Sequence, residues 1–314
     1  MIAPAHVLVS GGRGFVGRAV VRRLLAAGRR VTVLSSDPSA APPPGCDLVV
    51  ADLDDPRAVD AALADLDVDA VCHLAARTRV RDSIADPAGV YRTNVGGTAA
   101  LLGVLRRRAQ RRGQPLTAVL ASSGAVYGPR GGAPLQEGLP PAPTNPYAAS
   151  KAAAEQLLAF EAATGAVAAV TLRAFNVAGA DGDAVDRDTT RLLPRALQVA
   201  AEGGAFPLNG DGSAVRELVH VADLADAYLL ALDAARPGRH RVYNVGSGTG
   251  VTVAEVLEAV RRTTGRPVPV ERRPAADEPQ ALVADSRRIR AELGWRPRRS
   301  DLDTIVADAW AALR

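Results

Sequence analysis

The chain has 314 residues, enough at roughly 150 per domain for one large or two closely joined domains, which excludes collagenous, peptide-like and small disulfide-rich classes. Hydrophobic and charged shares of 47% and 23% are those of a soluble globular protein; no uncharged apolar run reaches the roughly 20 residues of a membrane span and no signal-like segment precedes Val7, so a cytoplasmic protein with no membrane partner is expected. Two cysteines and four histidines offer no disulfide framework and no metal-ligand spacing, and 38 basic against 34 acidic residues, net +4, are too scattered for nucleic-acid binding.

In chain order, His6–Ser10 reads as a buried strand, 18–27 as a helix with Ala19, Val20, Leu24 and Leu25 on one stripe, and 30–34 as a second strand. Further strands at 48–50, 70–73, 117–121 and 168–173 alternate with helices over 56–66, 87–112 and 146–164. This alternation predicts an α/β fold, a Rossmann-type doubly wound parallel sheet with ligands at the carboxyl ends of its strands. Beyond Phe175 the pattern loosens into a Gly- and Asp-rich stretch over 179–188, short elements and a helix ending in Trp310. Residues 1–173, completed by part of 216–246, are therefore expected to form the dinucleotide-binding domain, and 174–314 mainly a smaller C-terminal substrate-binding domain. The Pro-rich segments 42–44 and 140–146 read as loops.

The run Gly11-Gly12-Arg13-Gly14-Phe15-Val16-Gly17 joins the first strand to the first helix. Glycines at 11, 14 and 17 let a pyrophosphate approach the amides at the positive end of that helix. The carboxylate expected after the second strand to hold the adenosine ribose is displaced: Ser35 and Ser36 follow Leu34, and Asp37 comes two positions late. With Arg13 in the loop, this leaves room for a 2′-phosphate and so for NADP beside NAD. Asp52, after the third strand, is a candidate for the adenine edge, competing with a plain solvated loop Asp.

Tyr147 and Lys151 stand four residues apart, on one helical face. A cation beside a phenol lowers its pKa toward working pH, as a base removing a hydroxyl proton requires. All other cationic residues of the chain are Arg, so keeping Lys here points to a need for a compact ammonium. The strand end Ala121-Ser122-Ser123-Gly124-Ala125 supplies a hydroxyl, with Ser123 as the bridge between Tyr147 and a substrate oxygen and Ser122 as its competitor.

With these residues in hand, the chain resembles the extended short-chain dehydrogenase/reductase superfamily and, within it, the NAD-dependent nucleotide-sugar epimerases. The likeness runs over nearly the whole length: the glycine loop, His73-Leu-Ala-Ala76, Asn94-Val-Gly-Gly-Thr98, the serine segment, Tyr147 and Lys151, Arg173-Ala-Phe-Asn-Val-Ala-Gly179, Val215-Arg-Glu-Leu-Val-His-Val221, Tyr243-Asn-Val-Gly246 and Leu293-Gly-Trp295. It implies a Ser123, Tyr147 and Lys151 triad, with Asn94 close by. It implies a cofactor bed that adds Phe15, Val16, Ser35, Leu53, Leu74, Ala75 and Ala76 to the glycines, Arg13 and Asp52. For the substrate it implies Asn176 and Arg216 on the nucleotide diphosphate, with Arg216 as a structural ion-pair partner the competing reading. Thr78, Arg191, Leu192, Asn209, Asp277 and Glu278 fill the remaining substrate slots; Thr78, Arg191 and Asn209 depart there from the family's Lys, Asn and aromatic residue.

Gly124 and Ala125 stand where the family's 4,6-dehydratases carry an acid and a base, so loss of water by that route is disfavoured, and decarboxylation, which uses a Glu at the second slot, falls with it. The expected function is a nucleotide-sugar 4-epimerase, UDP-sugar first, that retains NAD through a 4-keto intermediate. An NADPH-dependent ketoreductase on an activated sugar is the alternative, and a cofactor-sensing binding protein a distant third. The alanine-rich helices from Pro87 and Pro146 are expected to pair in a homodimer, as the family commonly does, against a purely internal packing role.

Overall fold

Apolar runs without polar alternation need cover on both faces, and the first of them, His6–Ser10 (β1), is buried throughout. A computed structural model describes residues 5–39, 41–130, 134–275 and 281–314. After β1 come α1 (Phe15–Ala26), β2 (Arg30–Ser35), β3 (Asp47–Val50), α2 (Pro56–Leu63), β4 (Ala70–His73), α3 (Val80–Ala85), α4 (Pro87–Tyr91), a π-turn (Arg92–Gly96), α5 (Gly97–Arg112), β5 (Leu116–Ser123), a 3-10 turn (Gly124–Tyr127), α6 (Pro146–Ala163) and β6 (Val167–Ala174). They are followed by β7 (Asn176–Ala178), β8 (Ala180–Asp181), β9 (Ala184–Val185), α7 (Leu192–Glu202), β10 (Phe206–Asn209), β11 (Val215–His220), α8 (Val221–Ala234), β12 (His240–Val245), β13 (Gly250–Thr252), α9 (Val253–Thr264), β14 (Val270–Arg273), β15 (Ala281–Leu282), α10 (Arg287–Leu293) and α11 (Leu302–Ala311).

The chain forms two units. The first comprises Met1–Gly128, Pro140–Arg173 and Ala225–Tyr243. Its sheet has seven strands in the order β12-β6-β5-β4-β1-β2-β3, and β3, β2, β1, β4 and β5 pair in parallel. Strand order reverses between β1 and β4, which opens a crevice at their carboxyl ends. Leu8, Val71, Leu101, Leu105 and Leu158 are among the buried residues of one core cluster, each contributing about 1.5–3 kcal/mol by leaving water.

The helix expected over 87–112 is not one regular helix, since a π-turn separates α4 from α5. A Cβ at Gly97 would stand 2.8 Å from Leu53 Cβ, so the helix closes on the third strand's loop, and the extra residue of the turn carries Asn94 inward, 2% exposed.

The second unit comprises Pro129–Leu139, Ala174–Leu224 and Asn244–Arg314. Here β11 pairs in parallel with β7 and β15 and antiparallel with β13, and Leu193, Leu197, Val256, Val260 and Ile305 fill the core. Helix α9 starts in a capping box made by Thr252 and Glu255. Residues 129–139 belong to this unit, where sequence order has them in the first: Leu135 bridges to Ala284, its amide donates to Val283 O at 2.8 Å, and Asn244 Nδ2 donates to its carbonyl at 2.7 Å. Among the described residues no helix is long and apolar enough to cross a membrane. Cys46 and Cys72 are free thiols.

Candidate active site

The glycine loop lies at the switch point because β1 and β4 are neighbours. Gly11 has φ +71°, and a Cβ there would stand 2.7 Å from Ala75 N, so the loop after β1 packs on the segment after β4. At Gly17 a Cβ would come within 2.1 Å of Gly11 O, which makes glycine obligatory for closing α1 onto the loop. Gly14 is different: its Cβ would meet only Gly11 O, at 3.4 Å. Gly14 is the N-cap of α1, and no side chain caps the helix amides there. The start of α1 can therefore take the pyrophosphate of a dinucleotide, a fit built by this chain's own backbone. Phe15, Val16, Ser35, Leu74, Ala75 and Ala76 are half-buried around this end of the sheet.

Other expected cofactor residues have different surroundings. Leu53 is buried in the apolar core. Asp52 is exposed and its Oδ1 accepts from Asp54 N at 2.9 Å, a local turn. Asn94 has its side chain used within the chain: Nδ2 donates to Ser150 Oγ at 2.9 Å and to Arg77 O at 3.1 Å, and Oδ1 accepts from Arg77 N at 2.8 Å. It ties the loop after β4 to α6, which is how it supports the site.

Behind the loop, buried His73 joins Ser10 and Thr98. Thr98 donates its single hydroxyl proton to Asn94 O at 2.6 Å, so at 2.9 Å it accepts from His73 Nε2. Nδ1 therefore accepts from Ser10 Oγ at 2.6 Å. Burial, with the charge of Lys151, pushes the imidazole down to about 3, so it is a neutral brace and not a base.

Helix α6 begins with Asn145 as N-cap, accepting from Ala148 N at 2.9 Å, and Pro146 in its first turn. That start places Tyr147 half-buried in the first turn and Lys151 one turn on, 5% exposed. Lys151 Nζ donates to Ala121 O on β5 at 2.9 Å. Burial lowers its pKa to about 8, and the nearby Glu155 carboxylate pulls it back up. Tyr228, fully buried, is pushed well above the ordinary phenol range by burial, so it stays a neutral phenol.

The two serines at the end of β5 separate cleanly. Ser122 Oγ, buried, donates to Glu155 Oε1. Ser123 is half-buried, and its Oγ accepts from Ala125 N at 3.2 Å as it starts the 3-10 turn. Glu155 is not among the site residues expected from the sequence. It receives Arg173 Nη2 at 2.6 Å and Nε at 3.0 Å, while Arg173 Nη1 donates to Tyr127 OH at 2.9 Å. The buried pair thus clamps β5, α6 and β6 beneath the ammonium. Its sequence signal is spacing, since Tyr147, Lys151 and Glu155 recur every four residues on one face.

Among the substrate candidates, Thr78 is exposed in the loop after β4. In the second unit, Asn176 and Arg216 are brought together on neighbouring strands: Asn176 pairs with Leu218 in register, and its Nδ2 donates to Glu217 O at 3.0 Å. Arg216 is half-buried, with Nη1 donating to Val215 O at 2.9 Å. Arg191 forms an ion pair with Asp186 at 3.0 Å; Leu192 starts α7 and Asn209 ends β10, exposed. Asp277 and Glu278 lie outside the described residues. Between Arg216 and Leu218, Glu217 is fully buried and accepts from Ala284 N at 2.5 Å, from Gly248 N and from Ser247 Oγ. Burial raises its pKa to about 7 against those donors. No group of three or more His, Cys, Asp or Glu among the described residues is placed to hold a metal ion.

A family model described as the NAD dependent epimerase/dehydratase family matches residues 7–246. The chain is 38% identical to a UDP-glucose 4-epimerase of Corynebacterium glutamicum, over 97% of this chain and 94% of that one. It is 40% identical to one of Streptomyces lividans, over 96% and 94%. Among solved structures it matches, with TM-score 0.89 and 32% identity over 98% of this chain and 97% of the other, a UDP-glucose-4-epimerase from Stenotrophomonas maltophila with bound NAD and formylated UDP-arabinopyranose. It also matches, with TM-score 0.85 and 28% identity over 97% of each, a UDP-glucose 4-epimerase from Bifidobacterium longum in complex with NAD+ and UDP.

Proposed function

Since this chain belongs to the NAD-dependent epimerase/dehydratase family, we propose that it is a nucleotide-sugar 4-epimerase, acting on a UDP-sugar with retained NAD. The observation that carries the reading is the buried Lys151 ammonium one helical turn from Tyr147, at the end of a strand that finishes in Ser123. A buried cation next to a phenol favours the phenolate, so Tyr147 accepts the proton of the sugar's C4 hydroxyl. Ser123 Oγ donates to the same oxygen and keeps it aligned. NAD, when bound, supplies the acceptor for the C4 hydrogen and its electron pair and returns them to the other face of a 4-keto sugar. Tyr147 then gives the proton back. Over the cycle one C–H and one O–H bond break and re-form, so no cofactor is consumed.

The glycine loop with Ser35, Leu74, Ala75 and Ala76 forms the cofactor bed, and Asn176 and Arg216 take the substrate's diphosphate through charge-assisted donors. Gly124 and Ala125 carry no acid or base, so elimination of water has no proton donor at that point. We read the protein as cytoplasmic and as a homodimer through α5 and α6; support comes from the alanine-rich α6 sequence and Phe160, 73% exposed on it, and sedimentation velocity checks it. The activity test is incubation with UDP-galactose and UDP-glucose without added cofactor, followed by separation of C4 epimers. Interconversion is expected; a product formed only with added NADPH, carrying a newly reduced carbon, would replace the epimerase by a ketoreductase.

A further inference from the structure

We propose that Glu217 is a positioning residue for substrate binding: its buried carboxylate is the joint at which β11 changes sheet partners, and it fixes the piece of strand from which Arg216 and Asn176 take the diphosphate. The inference rests on the reading that these two residues hold the diphosphate, and it adds what sets their places. Before the joint, Val215 and Arg216 pair in parallel with Ala281 and Leu282 of β15, and Val215 to Glu217 pair antiparallel with β13. After it, Leu218, Val219 and His220 pair in parallel with β7.

Buried backbone amides need acceptors where strand ladders end, and Glu217 supplies two of them. Oε2 accepts at 2.5 Å from the amide of Ala284, just past β15, while Oε1 accepts from the amide of Gly248 and, at 3.2 Å, from Ser247 Oγ, in the turn after β12. A Cβ at Gly246 would stand 2.5 Å from Oε1, so the same turn closes on the carboxylate from that side. Arg290, on α10, holds the turn from outside, with Nη2 donating to Ser247 O at 2.6 Å. Both diphosphate residues are tied to this joint: Arg216 is joined to Glu217 by a peptide bond, and the Glu217 carbonyl accepts from Asn176 Nδ2 at 3.0 Å. A buried carboxylate is costly to keep, and here burial outweighs three donors and raises the pKa to about 7. A charge kept on those terms contributes placement rather than stability. The joint also calls for a group that only accepts. Gln offers one oxygen and one NH2, and the NH2 would face the amide of either Ala284 or Gly248, donor against donor.

The test uses the full-length protein at a pH above the Glu217 pKa, titrated with UDP, with uridine, which lacks the diphosphate, and with NAD. Glu217→Gln, equal in size, should weaken UDP by about tenfold or more and leave uridine and NAD near their unaltered values. In turnover the same variant should raise KM for UDP-galactose more than it lowers kcat. Glu217→Asp is smaller but still only accepts, and it should bind UDP more tightly than Glu217→Gln; a packing role predicts the reverse order. Added to Arg216→Ala, where the residue being positioned is already gone, Glu217→Gln should weaken UDP by a smaller factor than it does alone. In the unaltered chain, UDP should slow hydrogen exchange at the amides of Gly248 and Ala284 more than NAD does, a measurement that needs no variant to fold. Unchanged UDP affinity in Glu217→Gln, the reverse order of the two variants, an undiminished effect beside Arg216→Ala, or exchange at the two amides that UDP leaves unaltered overturns the proposal. Failure of the unaltered chain to bind UDP would instead remove the diphosphate reading beneath it.

Discussion

The single lysine of this chain sits where an ammonium is hardest to keep charged, and its surroundings determine what it can do. Its pKa of about 8 reflects burial first and Glu155 second, in opposite directions. Tyr147→Phe removes the proton acceptor and should lower turnover by at least about 10²-fold while UDP and NAD titrations stay near the unaltered values. Lys151→Arg should fail similarly, because a planar guanidinium does not fit the compact position bonded to Ala121 O. In Glu155→Gln the charge that raises Lys151 is lost, so the alkaline limb of the rate profile should move to lower pH. The same change leaves the buried Arg173 without its carboxylate and should cost about 3–5 kcal/mol in denaturant unfolding; a variant as stable as the parent would mean that the clamp is redundant. Arg216→Ala should weaken UDP binding about ten- to a hundredfold and leave NAD binding unchanged in paired titrations, whereas equal weakening of both would assign Arg216 to the fold.

At the level of the elements, the β1-to-α1 connection separates folding from ligand binding within three residues. Gly17→Ala puts a methyl carbon 2.1 Å from a backbone oxygen, and a backbone oxygen cannot move aside. It should destabilise the first unit by about 1–3 kcal/mol, read as a fall in Tm. Gly14→Ala meets only an ordinary contact at 3.4 Å, in an extended backbone at φ −73° and ψ 171° that alanine adopts freely. Its Tm should stay close to that of the parent while NAD binding weakens, since a pyrophosphate must come close to the backbone at the uncapped start of α1. A Gly14→Ala protein that binds NAD normally would show that the pyrophosphate does not approach there. The π-turn before α5 is a second such device: one added residue turns Asn94 into the packing between α5 and α6, where it fixes Ser150 and the loop after β4.

Across the whole molecule, the two units respond to acid in opposite ways. In the first, His73 is depressed to about 3 from an ordinary 6.5, and His240 is lowered too. The unfolded chain therefore binds more protons below 6.5, and between pH 7 and 5 His73 alone withdraws about 2 kcal/mol of stability. In the second, Glu217 is raised to about 7 from 4.5. Its contribution is complete below 4.5 and lost as pH rises through 7, so acidification from pH 7 to 5 returns about 2 kcal/mol, opposed in part by the lowered His220. Amide hydrogen exchange at the two pH values, corrected for intrinsic rates, should show protection in β1, β4 and β5 falling more than in β11 and α9. Equal losses in both units would contradict this assignment.

Sequence alone determined the features that depend on near neighbours. The alternation of apolar runs and helical stripes specified β1 to β6, because burial on both faces of a parallel sheet demands unbroken apolar strands. The four-residue spacing of Tyr147 and Lys151 set them on one face of α6, and glycines at 11, 14 and 17 marked a loop needing close backbone approach. What tertiary structure decided are contacts between residues distant in the chain, which no local period encodes. Ser122 and Ser123 are neighbours in sequence; only the position of Glu155 on α6, 33 residues later, binds one and leaves the other at the strand end. Likewise Leu135 joins the second unit because Ala284 offers it a strand partner, and Asp37 meets Arg13 because β1 and β2 lie side by side. Periodicity reports which face of an element is buried, whereas the identity of the group that buries it is settled only when strands far apart in sequence pack together.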